Sequence, residues 1–342
     1  MIAEADMEVC RELIRTGSYS LHAASKVLPA RVRDPALALY AFCRVADDEV
    51  DEVGAPRDKA AAVLKLGDRL EDIYAGRPRN APSDRAFAAV VEEFEMPREL
   101  PEALLEGFAW DAEGRWYHTL SDVQAYSARV AAAVGAMMCV LMRVRNPDAL
   151  ARACDLGLAM QMSNIARDVG EDARAGRLFL PTDWMVEEGV DPQEFLRDPQ
   201  PTKGIRRVTE RLLNRADRLY WRAATGVRLL PFDCRPGILA AGKIYAAIGT
   251  EVAKAKFDNI TQRAHTTKGR KLWLVANSAM SATAASLLPL SPRVHARPEP
   301  EVAHLVDAAA HRNLHPERSE VLISALMALK ARDRGLVVDR AS

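Results

Sequence analysis

Apolar residues return every three or four positions through nearly the whole chain, and no segment sustains the every-second-residue alternation, rich in β-branched side chains, that strands require. Such a chain folds all-α. The spacing predicts helices over Met7–Thr16, Ser20–Leu28, Ala36–Val53, Asp58–Ala75, Ser83–Phe94 and Pro101–Glu113, then over Val123–Val144, Pro147–Ala173, Lys203–Leu229, Pro236–Thr261 and Lys268–Leu287. Pro29, Asp34-Pro35, Gly54-Ala55-Pro56, Gly76-Arg77-Pro78, Asn146-Pro147 and Asp233-Cys234-Arg235-Pro236 mark turns between them, because proline disfavours helix in the residue before it. Leu180 to Gln200, with three prolines, is expected to be an irregular surface connection. Residues 1–288 are expected to form one helical bundle, followed over 289–342 by a proline-rich connection and a helical tail.

The 47 basic and 47 acidic residues cancel, so no long-range field draws the chain to nucleic acid, and none is expected as a partner. Cys10, Cys43, Cys139, Cys154 and Cys234 lie far apart with no CxxC pair, which suits neither a zinc site nor a disulfide framework and points to a reducing cytoplasm. The opening Met1 to Asp6 lacks the basic start and apolar core of a secretory signal. The longest apolar run, Val130 to Met142, is 13 residues between Arg129 and Arg143, short of the ~20 that cross a bilayer.

Two acid-rich motifs echo each other. Asp47-Asp48-Glu49-Val50-Asp51-Glu52 follows the apolar run Ala36 to Cys43, and Asp168-Val169-Gly170-Glu171-Asp172 follows another that starts near Ala153. In each, two aspartates four residues apart share a helical face. At ~100° per residue, Gln161, Asn164, Asp168 and Asp172 fall in one stripe roughly 80° wide, a polar band on an otherwise apolar helix. Like charges at that spacing repel, more strongly when desolvated, so a cation should offset them. Hard oxygen ligands select Mg²⁺, with Mn²⁺ the alternative, and Mg²⁺ is commonly held by a few carboxylates together with substrate phosphates. The competing reading of each acid run is a solvated helix end; two copies, each behind an apolar helix with an arginine just before an aspartate, weigh against it.

Tyr40-Ala41-Phe42-Cys43-Arg44-Val45-Ala46-Asp47-Asp48 and Gln161-Met162-Ser163-Asn164-Ile165-Ala166-Arg167-Asp168-Val169 resemble the paired signatures of the squalene/phytoene synthase family, and Arg177-Leu178-Phe179-Leu180-Pro181 is similar to a bacterial pattern within it. The likeness runs to about Ser286. It implies an isoprenoid-synthase-type bundle with a central cavity flanked by two DxxxD helices. It also implies that Asp47, Asp51, Asn164, Asp168 and Asp172 bind the metal and that Ser18, Ser20, Arg44, Gln161, Arg167 and Tyr245 hold diphosphate. The chain departs from the family pattern at Tyr19 and Leu21, around those serines. Arg263 and Lys268 are further phosphate candidates, set against a solvated basic turn. Tyr126, four residues before Val130, matches a family Tyr-x-x-x-Val-Ala motif and is a candidate for stabilising cations, against the plain reading of a core tyrosine; Ala132 stands where glycine is common.

The reaction so implied is Mg²⁺-dependent head-to-head condensation of two geranylgeranyl diphosphates, through a cyclopropyl diphosphate, to phytoene in carotenoid biosynthesis. Its greasy C40 product implies peripheral association with the inner face of a membrane and contact with other enzymes of the pathway. Three alternatives stand beside it: a squalene- or hydroxysqualene-forming relative acting on farnesyl diphosphate, a terpene cyclase, and a non-catalytic helical assembly factor of the same fold. The second DxxxD motif disfavours the cyclase, and two intact aspartate motifs disfavour the assembly factor.

Overall fold

The computed structural model describes residues 2–17, 22, 24–51, 56–287, 291–311 and 320–333, without the side chains of 46–51, 56–58, 284–287, 320, 321 and 331–333. Among the described residues there are helices and turns and no strand. The helices are α1 (Glu4–Gly17), α2 (Ala30–Asp51), α3 (Pro56–Tyr74), α4 (Pro82–Phe94), α5 (Glu99–Glu113), α6 (Leu120–Leu141) and α7 (Pro147–Arg174). They continue as α8 (Thr182–Glu187), α9 (Pro192–Arg197), α10 (Lys203–Gly226), α11 (Arg235–Lys254), α12 (Lys268–Leu287), α13 (Ala303–Ala310) and α14 (Glu320–Asp333). The predicted helix Ser20–Leu28 begins outside the described residues.

Helix α7 is the axis of the molecule, with α10, α11, α6 and α13 packed around it. It starts where the sequence directs: the Asn146 side chain accepts from the Ala149 amide at 3.0 Å and Pro147 fills the first turn, where its missing N–H costs nothing. Helices α1 to α4 form the adjoining half, where Phe42 of α2 stacks on Phe87 of α4 with ring centroids 4.5 Å apart. Between α6 and α7 the backbones approach closely through small residues. A Cβ on Gly157 would stand 2.5 Å from Ala132 Cα, and one on Gly135 would stand 2.6 Å from the Ala153 carbonyl oxygen.

Four sequence expectations change. Pro35 does not break a helix; it lies inside α2, near its start. The connection from Leu180 to Gln200 folds into α8 and α9, because Asp191 caps the Gln193 and Glu194 amides and Met185 and Phe195 find the core. The helix expected to reach Thr261 stops at Lys254, where Lys256 and Phe257 turn left-handed at φ 55° and 58°. The helix expected over Val123–Val144 runs three residues earlier, Leu120–Leu141, and although its apolar run is short the whole 22-residue helix is long and apolar enough to cross a membrane by length and composition, yet it packs against α5 and α7 within the bundle.

Candidate active site

A cavity of about 720 Å³ opens between α2, α6, α7, α10 and α11. Its wall is mostly apolar: Leu37 and Leu39 from α2, Val134 and Met138 from α6, Leu156 and Met160 from α7. Among the described residues the lining on α2 reaches Cys43, four residues before Asp47; on α7 its apolar part reaches Met160 and its polar end Asn164, four residues before Asp168. The lining of each wall helix therefore leads, about one turn on, to an aspartate of a DxxxD motif. Gln161, Asn164 and Tyr245, expected to meet metal or diphosphate, are on the wall.

Beyond the wall, Asp168 is held by three hydrogen bonds. Arg167 donates from Nε to Oδ1 at 2.7 Å and from Nη2 to Oδ2 at 2.5 Å, and Arg263 donates from Nε to Oδ1 at 2.8 Å. Burial pushes this carboxyl up, but the two guanidiniums outweigh it and hold the pKa below the usual carboxylate range. Asp172 goes the other way. Burial raises it to about 6, against the pull of Arg177, whose Nη2 donates to Oδ1 at 3.0 Å, with Asp168 and Glu171 adding repulsion. The cationic compensation expected for the DxxxD stripe is thus supplied at Asp168 by two arginines and remains incomplete at Asp172.

The Asn164 Oδ1 is buried and accepts no hydrogen bond, although its Nδ2 reaches Gln161 Oε1 at 3.5 Å. An orphaned amide oxygen one turn from the Asp168 carboxylate, on the stripe that continues to the under-compensated Asp172, is a donor set that suits a hard divalent cation. Among the described residues no three His, Cys, Asp or Glu side chains cluster to hold a metal, and the carboxylates of Asp47 and Asp51 fall outside those residues. Arg44 is half-buried on α2, where its side chain and the Tyr40 hydroxyl close on Gly17 at the end of α1. Ser18 and Ser20, the next expected contacts, lie outside the described residues, and Lys268 is exposed at the start of α12.

Tyr126 is off the cavity wall. Its ring packs between Tyr117 and Phe179, each with its centroid 5.1 Å away, and its hydroxyl donates to Asp111 Oδ2 at 2.9 Å. Burial pushes the phenol well above its ordinary pKa, which keeps it a proton donor. The cause of its position is a π turn at Ala128–Ala132 inside α6. That turn takes in about one extra residue, so Tyr126 is rotated by roughly 100° from the face that carries Val130, Val134 and Met138 to the cavity.

Several contacts near the site had no sequence signal, because they arise from tertiary approach: Asp111 on Tyr126, the 3.0 Å hydroxyl pair of Ser163 and Tyr220, and Lys243 on the wall. Arg177, five residues beyond Asp172 in the quoted motif, could have been found as a charge partner.

An apolar chamber whose two wall helices turn acidic at one end defines an isoprenoid-diphosphate enzyme, and comparison with known proteins agrees. Residues 14–270 match the model of the squalene/phytoene synthase family. The chain belongs to that family. It is 96% identical to the phytoene synthase of Rhodobacter capsulatus over 99% of this chain and 100% of that one, and 64% identical to the phytoene synthase of Cereibacter sphaeroides over 98% and 96%. Its fold matches the crystal structure of a dehydrosqualene synthase in complex with ligand, with a TM-score of 0.75 and 30% identity over 82% of this chain and 98% of that one. Its activity is phytoene synthesis, a prenyl-transfer step of carotenoid biosynthesis acting on a prenyl diphosphate, and its family is divalent-metal dependent.

Proposed function

We propose that the chain joins two geranylgeranyl diphosphates head to head through a cyclopropylcarbinyl diphosphate, with Mg²⁺ as the divalent cation. The observation that carries this reading is the cavity, whose described lining reaches to within four residues of a DxxxD motif on both α2 and α7. In it, Asp47, Asp51, Asn164, Asp168 and Asp172 hold the metal, which when bound draws charge from the leaving diphosphate. Arg44, Gln161, Arg167, Tyr245 and Arg263, with Ser18, Ser20 and Lys268, bind diphosphate oxygens; guanidinium matches them two at a time. Arg167 and Arg263, which hold Asp168 in this structure, would be free to meet phosphate oxygens wherever that carboxylate served a cation instead. The apolar walls exclude water, which would capture the cations as alcohols. Tyr126, a hydroxyl donor fixed by Asp111, lies beside Phe179 of the segment whose Arg177 binds Asp172, which supports a role near the diphosphate end. The enzyme is cytoplasmic in this reading and works at the inner face of the membrane beside other enzymes of its pathway, since its C40 product has no solubility in water.

The test supplies purified protein with Mg²⁺ and either geranylgeranyl or farnesyl diphosphate, and identifies the extracted hydrocarbon. Phytoene from the C20 substrate is the expected result; turnover of the C15 substrate alone overturns the reading.

A further inference from the structure

Helix α12 is apolar on both sides. Its inner face, with Leu274, Ser278 and Ala282, is buried, and the helix packs on α11. Its outer face carries Leu272, Trp273, Ala276, Ala279 and Met280 within an arc of roughly 120°, where a surface helix ordinarily places charge. Leu272, Trp273 and Met280 are 61%, 61% and 66% exposed, and contiguous apolar exposure of this kind marks a contact surface.

The charge around it selects the partner. From Asn259 to Pro298 there is no aspartate or glutamate, while Arg263, Lys268, Arg270, Lys271, Arg293 and Arg297 are basic, in a chain whose charges balance only as a whole; of these Arg263 is paired with Asp168 and Glu171, and Arg270 reaches Glu251 at 3.8 Å. Lys268 and Arg270 are exposed in the first turn of α12. An apolar face bearing tryptophan beside a basic helix end is the make-up of a helix lying in the plane of an anionic bilayer. A second copy of this acid-free stretch would meet like charge.

We propose that the outer face of α12 docks on an anionic lipid surface. The proposal rests on the membrane part of the reading above and names the surface responsible. It also sets the cavity close to the lipid. Lys243 and Tyr245 of α11 are on the cavity wall and touch α12: Lys243 Nζ donates to Asn277 Oδ1 and Ser281 Oγ, each at 2.6 Å, and Tyr245 packs beside Leu274.

Co-sedimentation of the full-length chain with vesicles tests this, using phosphatidylcholine containing phosphatidylglycerol beside phosphatidylcholine alone. The parent should bind the anionic vesicles, lose them as salt screens the basic end, and bind the neutral ones far less. Leu272→Ser/Trp273→Ser/Met280→Ser should bind at least about ten-fold more weakly while keeping its helical content and its turnover of detergent-dispersed substrate. Trp273→Ser alone should show a smaller loss of the same kind, which guards against misfolding of the triple variant. No binding by the parent, equal binding by the variants, or a parent dimer that the triple variant breaks would each overturn the proposal. Failure of the detergent assay with geranylgeranyl diphosphate would strike the substrate reading and leave the vesicle result standing.

Discussion

Asp172 is the residue whose environment costs the fold most visibly. Its carboxyl has a pKa of about 6 in the fold against 3.8 as the ordinary value, so the folded state holds the proton more tightly than the unfolded chain. A raised pKa is neutral in effect below the lower value, and stability is lost as pH climbs from about 4 to about 6. Two units correspond to roughly 3 kcal/mol, an upper figure for a side chain that keeps some solvent contact. In protein stripped of metal with chelator, Asp172→Asn should therefore match the parent in urea unfolding below about pH 4 and exceed it by up to ~3 kcal/mol above pH 6, while losing activity. At this scale the sequence was legible where neighbours lie on one helix: Gln161, Asn164 and Asp168 share a stripe because residues three or four apart must. Lys243, Tyr220 and Asp111 were not legible, because other helices bring them in.

Elements were legible in kind and, for the long helices, in place; the short α8 and α9 were missed, and ends and phase were read less well. Helix α7 could be read nearly residue for residue, since Asn146-Pro147 is a start signal with one meaning. Helix α6 could be located but not phased: nothing in Ala128-Arg129-Val130-Ala131-Ala132 announces a π turn, which is why Tyr126 was expected in line with Val130. The close approach of α6 and α7 was not legible, because it depends on how two helices meet. It yields a sharp expectation: a methyl at Gly157 would stand 2.5 Å from Ala132 Cα and 2.7 Å from the Ala131 carbonyl oxygen, backbone atoms that cannot step aside singly. Gly157→Ala should cost about 1–3 kcal/mol by thermal unfolding and lower turnover, as the two helices that wall the cavity are forced apart.

For the whole molecule, the chain after α12 is fastened to α7 by Arg152 from the buried side and by the pair of His295 with Asp148 at 2.7 Å on the outside. Arg152, 1% exposed, donates from Nη1 to the carbonyls of Arg293, Val294 and Ala296 and pairs with the fully buried Asp155 at 2.7 Å, with Gly226 leaving room for its stem. Arg152→Ala should destabilise by about 3–5 kcal/mol in urea, because it leaves Asp155 with Arg222 alone and strips three carbonyls. The second aspartate motif also has a position of consequence: it occupies the last turns of its helix, α7 ending at Arg174. A helix carries its negative pole at that end, where a carboxylate is opposed by about 0.3–1 kcal/mol. Asp172 is thus set against the macrodipole of α7, and that opposition is relieved by whatever brings positive charge. A divalent cation should therefore act on this protein as a folding ligand even without substrate, adding about 2.7 kcal/mol at a hundred-fold excess over its dissociation constant. Calorimetry should show the melting temperature rising with cation concentration in the parent and standing still in Asp168→Asn/Asp172→Asn.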